Sequence, residues 1–271
     1  MSAQTRLLRA SGAREQLDAL PGDAGQVLAV ADQLFAVGAL LDGNGGLRRA
    51  LSDPARPAAA KAQLTRSVLG TQVSGETLGV LDALTAQRWP SAGALADAVE
   101  RAGAEAAVVA AERGGRLDAL EDDLFRFRRI LQGQPALATA VADGSAPLAS
   151  REALVTGLLE QRVGPEALRL VLQAVRHPRG RRVDSVLDLY GKVAAIRRDQ
   201  LVARVVSAVA LTDGERERLA AALSRTYGRQ VSLRTEVDPG VIGGLRVQVG
   251  DEVVDGTVAT RLDEVRQRLA G

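Results

Sequence analysis

The chain has 271 residues, with 35 Lys+Arg against 33 Asp+Glu for a net charge of +2, 46% hydrophobic residues, 2% aromatic residues and no cysteine. That length exceeds one compact core and predicts two or three domains, while the missing cysteine excludes disulfides, thiolate chemistry and Cys-ligated zinc. With so few aromatics the cores must be built from Ala, Leu and Val, which favours helices packed at close range.

Nearly every base is Arg, but the acids are interleaved and no segment is strongly basic, which disfavours a general anion binder. No uninterrupted apolar run approaches the ~20 residues of a membrane span. The opening MSAQTRLLRASGAREQ lacks the layout of a secretory leader, so a soluble cytoplasmic chain is expected.

In chain order, an amphipathic helix is predicted over 3–20, ending at Leu20-Pro21. An internal repeat follows. Shifted by 90 residues, ADQLFAVGALLDGNGGLRRALSDPARP (31–57) lies over EDDLFRFRRILQGQPALATAVADGSAP (121–147), and roughly 16 of 58 positions between 27 and 84 are identical without a gap. Beyond Arg88 the second copy needs one extra residue, after which Asp97 falls over Asp188. The unit is helical: Val27, Val30, Leu34, Val37 and Leu41 are spaced three and four apart, and Leu117, Leu120, Leu124, Phe127 and Leu131 repeat that spacing. Asp53-Pro54 breaks the chain as Asp143-Gly144 does in the second copy. Helices are predicted near 58–69, near 75–88 with Ser74 as N-cap, and from about 92 to 113. The sum is two antiparallel helical bundles in tandem, joined through the long helix.

After residue 200 the period shifts towards two. VARVVSAVAL (202–211) reads as a buried strand, and VSLRTEV (231–237) and LRVQV (245–249) alternate, with Val231, Leu233, Thr235 and Val237 on one face. Between them, Thr212 and Glu215 form a capping box, Leu219, Ala222, Leu223 and Tyr227 an apolar face, and Gly228 a stop. A last helix carries Val258, Leu262, Val265 and Leu269. The predicted fold is therefore mainly α with a small α+β C-terminal domain, a mixed small sheet with two helices. Its domains are a bundle over 1–110, a second over 111–200 and the sheet domain over 201–271.

The stretch EVDPGVIGGLRVQVGDEVVDG (236–256) decides whether this is an enzyme. A P-loop needs GxxxxGK[ST], and a dinucleotide loop needs GxGxxG opening a helix. Here GVIGGLR leads into a strand with no Lys or Ser/Thr to reach a phosphate, so a small phosphotransfer enzyme is disfavoured. Asp238-Pro239-Gly240 reads as a turn, Gly243-Gly244 as a bulge or close contact at a strand start, and Asp238, Asp251 and Asp255 as turn residues rather than metal ligands. Asp122 and Asp123, adjacent on a helix, point in different directions.

His177, the one histidine, lies in the basic loop RHPRGRR (176–182). Alone it makes neither a triad nor a His-based metal site. The loop's arginines could meet nucleic-acid phosphates, but no aromatics interleave to stack bases. Trp89, before Pro90, reads as a helix-end anchor. No nucleophile, base and oxyanion site assembles, and no catalytic, cofactor-binding or metal residue is assigned.

VVSAVALTDGERERLAAAL (205–223) followed by VSLRTEVDPGVIGGLRVQVGDEVVDGTVATRL (231–262) resembles the delta subunit of F-type ATP synthases, the oligomycin-sensitivity-conferring protein family. The motif residues are Ser207, Ala208, Val237, Asp238, Pro239, Gly243, Gly244, Gly250, Asp251, Asp255 and Gly256, with Thr257 where Ser is commoner. LSDPARPAAAKAQLTRSVL (51–69) and LGVLDALTAQR (78–88) resemble the family's N-terminal six-helix bundle. The chain carries about 90 extra residues, which the repeat accounts for, and this suggests a long actinobacterial form. The resemblance implies a non-catalytic stator without cofactors. Its helical part would bind N-terminal segments of the alpha subunits and its C-terminal domain the ends of the b-type stalk subunits, on the cytoplasmic face of the cell membrane. The alternative is a nucleic-acid binder using the 176–182 loop. No interface residue follows from the sequence.

Overall fold

Ala, Leu and Val do build helices packed at short range. A computed structural model describes residues 11–198, 201–227, 231–238, 244–249 and 252–255. In chain order the elements are α1 (Ser11–Asp18), α2 (Ala24–Gly43), α3 (Gly45–Ser52), α4 (Ala58–Leu69), α5 (Gly75–Ala86), α6 (Ala92–Arg113), α7 (Leu117–Gly133), α8 (Pro135–Ala142), α9 (Leu148–Leu159), α10 (Pro165–Arg176) and α11 (Val183–Arg198). They continue with β1 (Leu201–Ser207), α12 (Asp213–Tyr227), β2 (Val231–Val237), β3 (Leu245–Val249) and β4 (Glu252–Asp255). The fold is mainly α with a small mixed sheet near the C-terminus. The predicted final helix, Gly228 and residues 3–10 of the predicted first helix lie outside the described residues.

Helix bounds repeat at the sequence offset. The ranges of α3, α4 and α5 recur in α8, α9 and α10 ninety residues on, and α6 and α11 start 91 apart, in keeping with the one extra residue of the second copy. Small details recur as well. The Ala55 N–H donates to Asp53 Oδ1 at 2.9 Å and the Ser145 N–H to Asp143 Oδ1 at 2.9 Å. The Ser74 N–H donates to Gln33 Oε1 at 2.8 Å and the Gly164 N–H to Asp123 Oδ2 at 3.2 Å. Ser74 caps α5 as expected, accepting from the Thr77 N–H at 3.3 Å. Thr77 is too short to reach back to the Ser74 N–H as a glutamate would, and Gln33 of α2 does so instead.

The chain divides into two compact units, Met1–Ala195 and Ile196–Gly271, where the sequence predicts boundaries near 110 and 200. Within the first unit the buried apolar residues form one cluster running from Ala13 to Ala194. Helix α6 explains the continuity. Its start stands 91 residues before that of α11, residues 101–108 stand ninety after α1, and α6 packs on α10 as α1 packs on α5. One helix thus closes the first bundle and opens the second, and no solvated linker separates them.

The most extensive helix contact in this unit joins α2 and α6, which run antiparallel, with Gly38 beside Glu100 and Gly103 beneath Phe35. A Cβ on Gly103 would stand 2.8 Å from the Phe35 ring, so this glycine is needed for close approach. Helix α2 corrects the expectation that no segment could span a membrane: among the described residues it is the one helix long and apolar enough by length and composition. It contains Asp32 and Gln33, and Val27, Val30, Leu34, Val37 and Leu41 are buried, as befits the central helix of a bundle. Each such side chain contributes about 1.5–3 kcal/mol on full burial. An unforeseen capping box starts this helix, with the Gln26 N–H to Asp23 Oδ1 and the Asp23 N–H to Gln26 Oε1, both at 2.9 Å.

The second unit holds a four-stranded sheet in the order β2-β1-β3-β4. β1 pairs parallel with β2 through the α12 crossover, antiparallel β3 follows on its other side, and β4 pairs antiparallel with β3. The Thr212–Glu215 capping box forms, with the Thr212 N–H to Glu215 Oε2 at 2.9 Å and the Glu215 N–H to Thr212 Oγ1 at 3.4 Å. Ala203, Val205, Val231 and Val247 are its buried centre, with Leu219 and Leu223 of α12 against them. β1 ends at Ser207 rather than 211, because the chain bends at Ala208-Val209. On β2 the expected apolar face is covered only at Val231 and Leu233, and Val237 is 50% exposed.

Candidate partner-docking surfaces

Of the motif residues that the structure describes, Ser207, Val237, Asp238 and Gly244 meet at one strand end. Ser207 pairs with Val237 on one side and Leu245 on the other. Its Oγ donates to the Val209 carbonyl at 2.7 Å and its carbonyl accepts the Asp238 N–H at 2.9 Å. Gly244, at φ +82, turns the chain into β3, a conformation that favours glycine. Asp255 departs from the turn expected for it: it ends β4, opposite Arg246. Ala208 lies in the bend after β1. Pro239, Gly243, Gly250, Asp251 and Gly256 lie outside the described residues. Among the described residues, these backbone and hydroxyl bonds hold the strand ends in place.

The basic loop is committed internally. Arg176 pairs with Glu152 at 2.6 Å, and Arg182 with Asp184 at 3.0 Å. Arg179 reaches Asp42 at 2.6 Å, Glu100 at 2.9 Å and Asp97 at 3.2 Å. Burial works against its charge, yet the Glu100 hydrogen bond and the three carboxylates prevail and raise its pKa above the ordinary arginine value. Its backbone is left-handed at φ 52, a conformation a non-glycine residue keeps only when its surroundings hold it. Tyr190 of α11 joins the cluster, its hydroxyl donating to Glu100 Oε1 at 3.0 Å. Burial first, and then the Glu100 charge, push its pKa well above the ordinary value. With three of the loop's four arginines facing the chain's own carboxylates, the nucleic-acid reading has no support. His177 is the half-buried C-cap of α10. Among the described residues no group of three or more His, Asp or Glu is arranged to hold a metal.

The remaining candidates are helix surfaces. Trp89 donates Nε1–H to the Leu84 carbonyl at 2.8 Å and packs against the core. Together with Asp53 and Ser91 it borders an open hollow between the end of α3 and the start of α6. A matching hollow lies between α8 and α11, bordered by Asp143, Arg182 and Val183. The helix pair α1/α5 presents Glu15, Gln16, Ala19 and Glu76 exposed, with Gly79 and Ala83 half-buried. Between these two helices Gln16 of α1 lies against Gly79 of α5, its Oε1 3.4 Å from where a Cβ would stand.

Comparison with known proteins bears on both units. The family model described as ATP synthase delta (OSCP) subunit matches residues 99–269. An ATP synthase subunit delta from Kineococcus radiotolerans is 50% identical over 256 residues, 94% of this chain and 92% of its own length. That of Streptomyces avermitilis is 46% identical over 261 residues, 96% of each chain. The Beutenbergia cavernae protein is 43% identical over 270 residues, 100% of this chain and 99% of its own. The family match begins inside α6, close to the segment that stands in for α1, and so takes in the second copy and the sheet unit.

Proposed function

The chain belongs to the ATP synthase delta (OSCP) subunit family, and on that premise we propose that it acts as a non-catalytic stator of the rotary synthase. Its helical unit receives N-terminal segments of the alpha subunits, and its sheet unit receives the C-terminal ends of the b-type stalk subunits. The catalytic head is thereby held to the stalk on the cytoplasmic face of the membrane while the rotor turns.

The observation that carries this reading is the shared helix α6. A stator must transmit torque without yielding. Two bundles joined by a flexible linker would absorb it, whereas two bundles sharing a helix and one hydrophobic core behave as a single body. The ion-pair cluster around Arg179 adds a second tie, since Asp42, Asp97 and Glu100 belong to the first copy and Arg179 to the second.

Reconstitution tests the proposal. Purified protein added back to synthase depleted of this subunit is expected to restore ATP synthesis driven by a proton gradient. In pull-downs it is expected to bind both the N-terminal segment of the alpha subunit and the C-terminal segment of the b-type stalk protein. Failure to restore coupling, or binding to neither segment, would overturn it.

A further inference from the structure

The open hollow between α3 and α6 differs in chemistry from its counterpart in the second copy. Trp89, Arg49, Pro54 and Pro90 border the first, a space of about 530 Å³. Trp89 is half-buried, whereas Arg49, Pro54 and Pro90 are exposed. Arg56, two residues past Pro54, is exposed as well.

The other polar groups at this corner are engaged within the chain. Trp89 Nε1–H donates to the Leu84 carbonyl at 2.8 Å, and Ser52 Oγ to the Arg49 carbonyl at 3.2 Å. Asp53 Oδ1 accepts the Ala55 N–H at 2.9 Å, and Ser91 Oγ the Ala94 N–H at 3.1 Å. The groups left to meet a ligand are the exposed part of the indole, two proline rings and the guanidiniums. Arg48 pairs with Asp42 at 3.5 Å, but among the described residues neither Arg49 nor Arg56 has a carboxylate partner. Asp53 is the one acid on the border, so the corner is basic.

The second copy shows that the fold does not require this chemistry. There Thr139 stands for Arg49, Gly144 for Pro54 and Ala146 for Arg56, and residues 176–182 contain no tryptophan. The arginine that borders the second hollow, Arg182, is paired with Asp184 at 3.0 Å. The same corner is thus basic and aromatic in one copy and neither in the other. Tryptophan and arginine are the side chains that most often anchor protein interfaces, the ring by apolar burial and the guanidinium by paired hydrogen bonds to a carboxylate.

We propose that the hollow beside Trp89 docks an acidic segment of a partner protein. One apolar side chain of that segment sits on the indole and the proline rings, and its carboxylates meet Arg49 and Arg56. Charge complementarity selects the acid: a basic segment would be repelled by both arginines, and a neutral one would gain nothing from them. The hollow of the second copy takes no such segment. The inference goes beyond the stator reading and does not rest on it, since it follows from the chemistry of one corner of the first copy.

Trp89 is the one tryptophan of the chain, so its fluorescence reports on this hollow in the full-length protein. The probe is a short synthetic peptide in which aspartates and glutamates flank a single leucine. Its controls are the same peptide with asparagine and glutamine for the acids, and a DNA oligonucleotide. The acidic peptide is expected to shift the emission to the blue saturably and to bind at least about tenfold more tightly than the neutral one. Arg49→Gln is expected to weaken that binding by about tenfold, and Arg182→Gln, in the second hollow, to leave it unchanged. Both arginines are exposed, so neither substitution disturbs the core. No emission change with the acidic peptide, equal binding of the neutral peptide, or unaltered affinity in Arg49→Gln overturns the inference. Tighter binding of the oligonucleotide than of the acidic peptide would assign the hollow to nucleic acid and overturn it as well.

Discussion

Lys61 and Arg151 stand ninety residues apart and cap equivalent helices. Lys61 Nζ donates to the Thr85 carbonyl in the last turn of α5 at 3.1 Å, and Arg151 Nη1 donates to the Val175 carbonyl in the last turn of α10 at 3.4 Å. A cation at a helix C-terminus satisfies an orphan carbonyl and meets the negative end of the dipole. Because Lys61 is 3% exposed and Arg151 only half-buried, the two contributions differ. Lys61→Met, which keeps the apolar stem, is expected to lower stability by about 1–2 kcal/mol, and Arg151→Met by less than about 1 kcal/mol. Urea midpoints at constant slope measure both, and equal losses would contradict the assignment.

Gly38 and Gly103 face the same helix contact and are expected to respond with opposite signs. A Cβ on Gly38 meets nothing closer than 3.9 Å, whereas one on Gly103 stands 2.8 Å from the Phe35 ring. Gly38→Ala should therefore show the helix-propensity gain of about 0.5–1 kcal/mol. Gly103→Leu should lower stability by about 3 kcal/mol, because α2 and α6 must separate. Thermal denaturation of the two variants decides it, and stabilisation by Gly103→Leu would show that the helices can part there without loss, contrary to the 2.8 Å approach of Phe35.

Much of this architecture can be read in the sequence where local chemistry sets it. The bounds of α4 and α6 follow from apolar spacing and from Pro57 and Ser91 at their starts, and the Thr212–Glu215 box fixes the start of α12. The eight-residue helices α3 and α8 are not foreseen, because Gly45-Gly46 and Pro135 look like loop and one turn of apolar spacing is too little signal. The dual role of α6 is hidden for another reason. Its two halves match different parts of the repeat, and only packing shows both matches used at once. Likewise the sequence displays the arginines of 176–182 but not the carboxylates that meet them, since Asp42 is 137 residues from Arg179.

Arg179 ties the first copy to the second, and the shape of its head group matters as much as its charge. A guanidinium presents a fork that can reach three carboxylates, while an ammonium is a compact point charge. Arg179→Lys is expected to lower stability by about 1–2 kcal/mol, and Arg179→Met by about 2–4 kcal/mol because Asp42, Asp97 and Glu100 are left facing one another. Hydrogen exchange in residues 176–190 should quicken in both variants before global unfolding does. Unchanged exchange there would mean that the apolar core alone holds the two copies together.

Tyr190 makes stability depend on alkaline pH. It is 1% exposed, with its hydroxyl bonded to Glu100. Burial, and then the Glu100 charge, raise its pKa well above the ordinary value in the folded state. An unfolded tyrosine ionises near pH 10. Above that point the unfolded chain sheds a proton that the folded chain retains. The stabilisation is therefore fully present below about pH 10 and falls as pH rises towards the folded pKa, by up to about 1.4 kcal/mol per pH unit. Tyr190→Phe removes this dependence and the hydrogen bond together. The variant should be less stable than the parent near pH 8 by about 1 kcal/mol, and the gap should narrow or reverse by about pH 11. Urea unfolding at the two pH values measures the gap, and tyrosinate absorbance should show one of the chain's two tyrosines titrating late in the parent and missing in the variant. A gap that is the same at both pH values would mean that Tyr190 ionises as easily folded as unfolded.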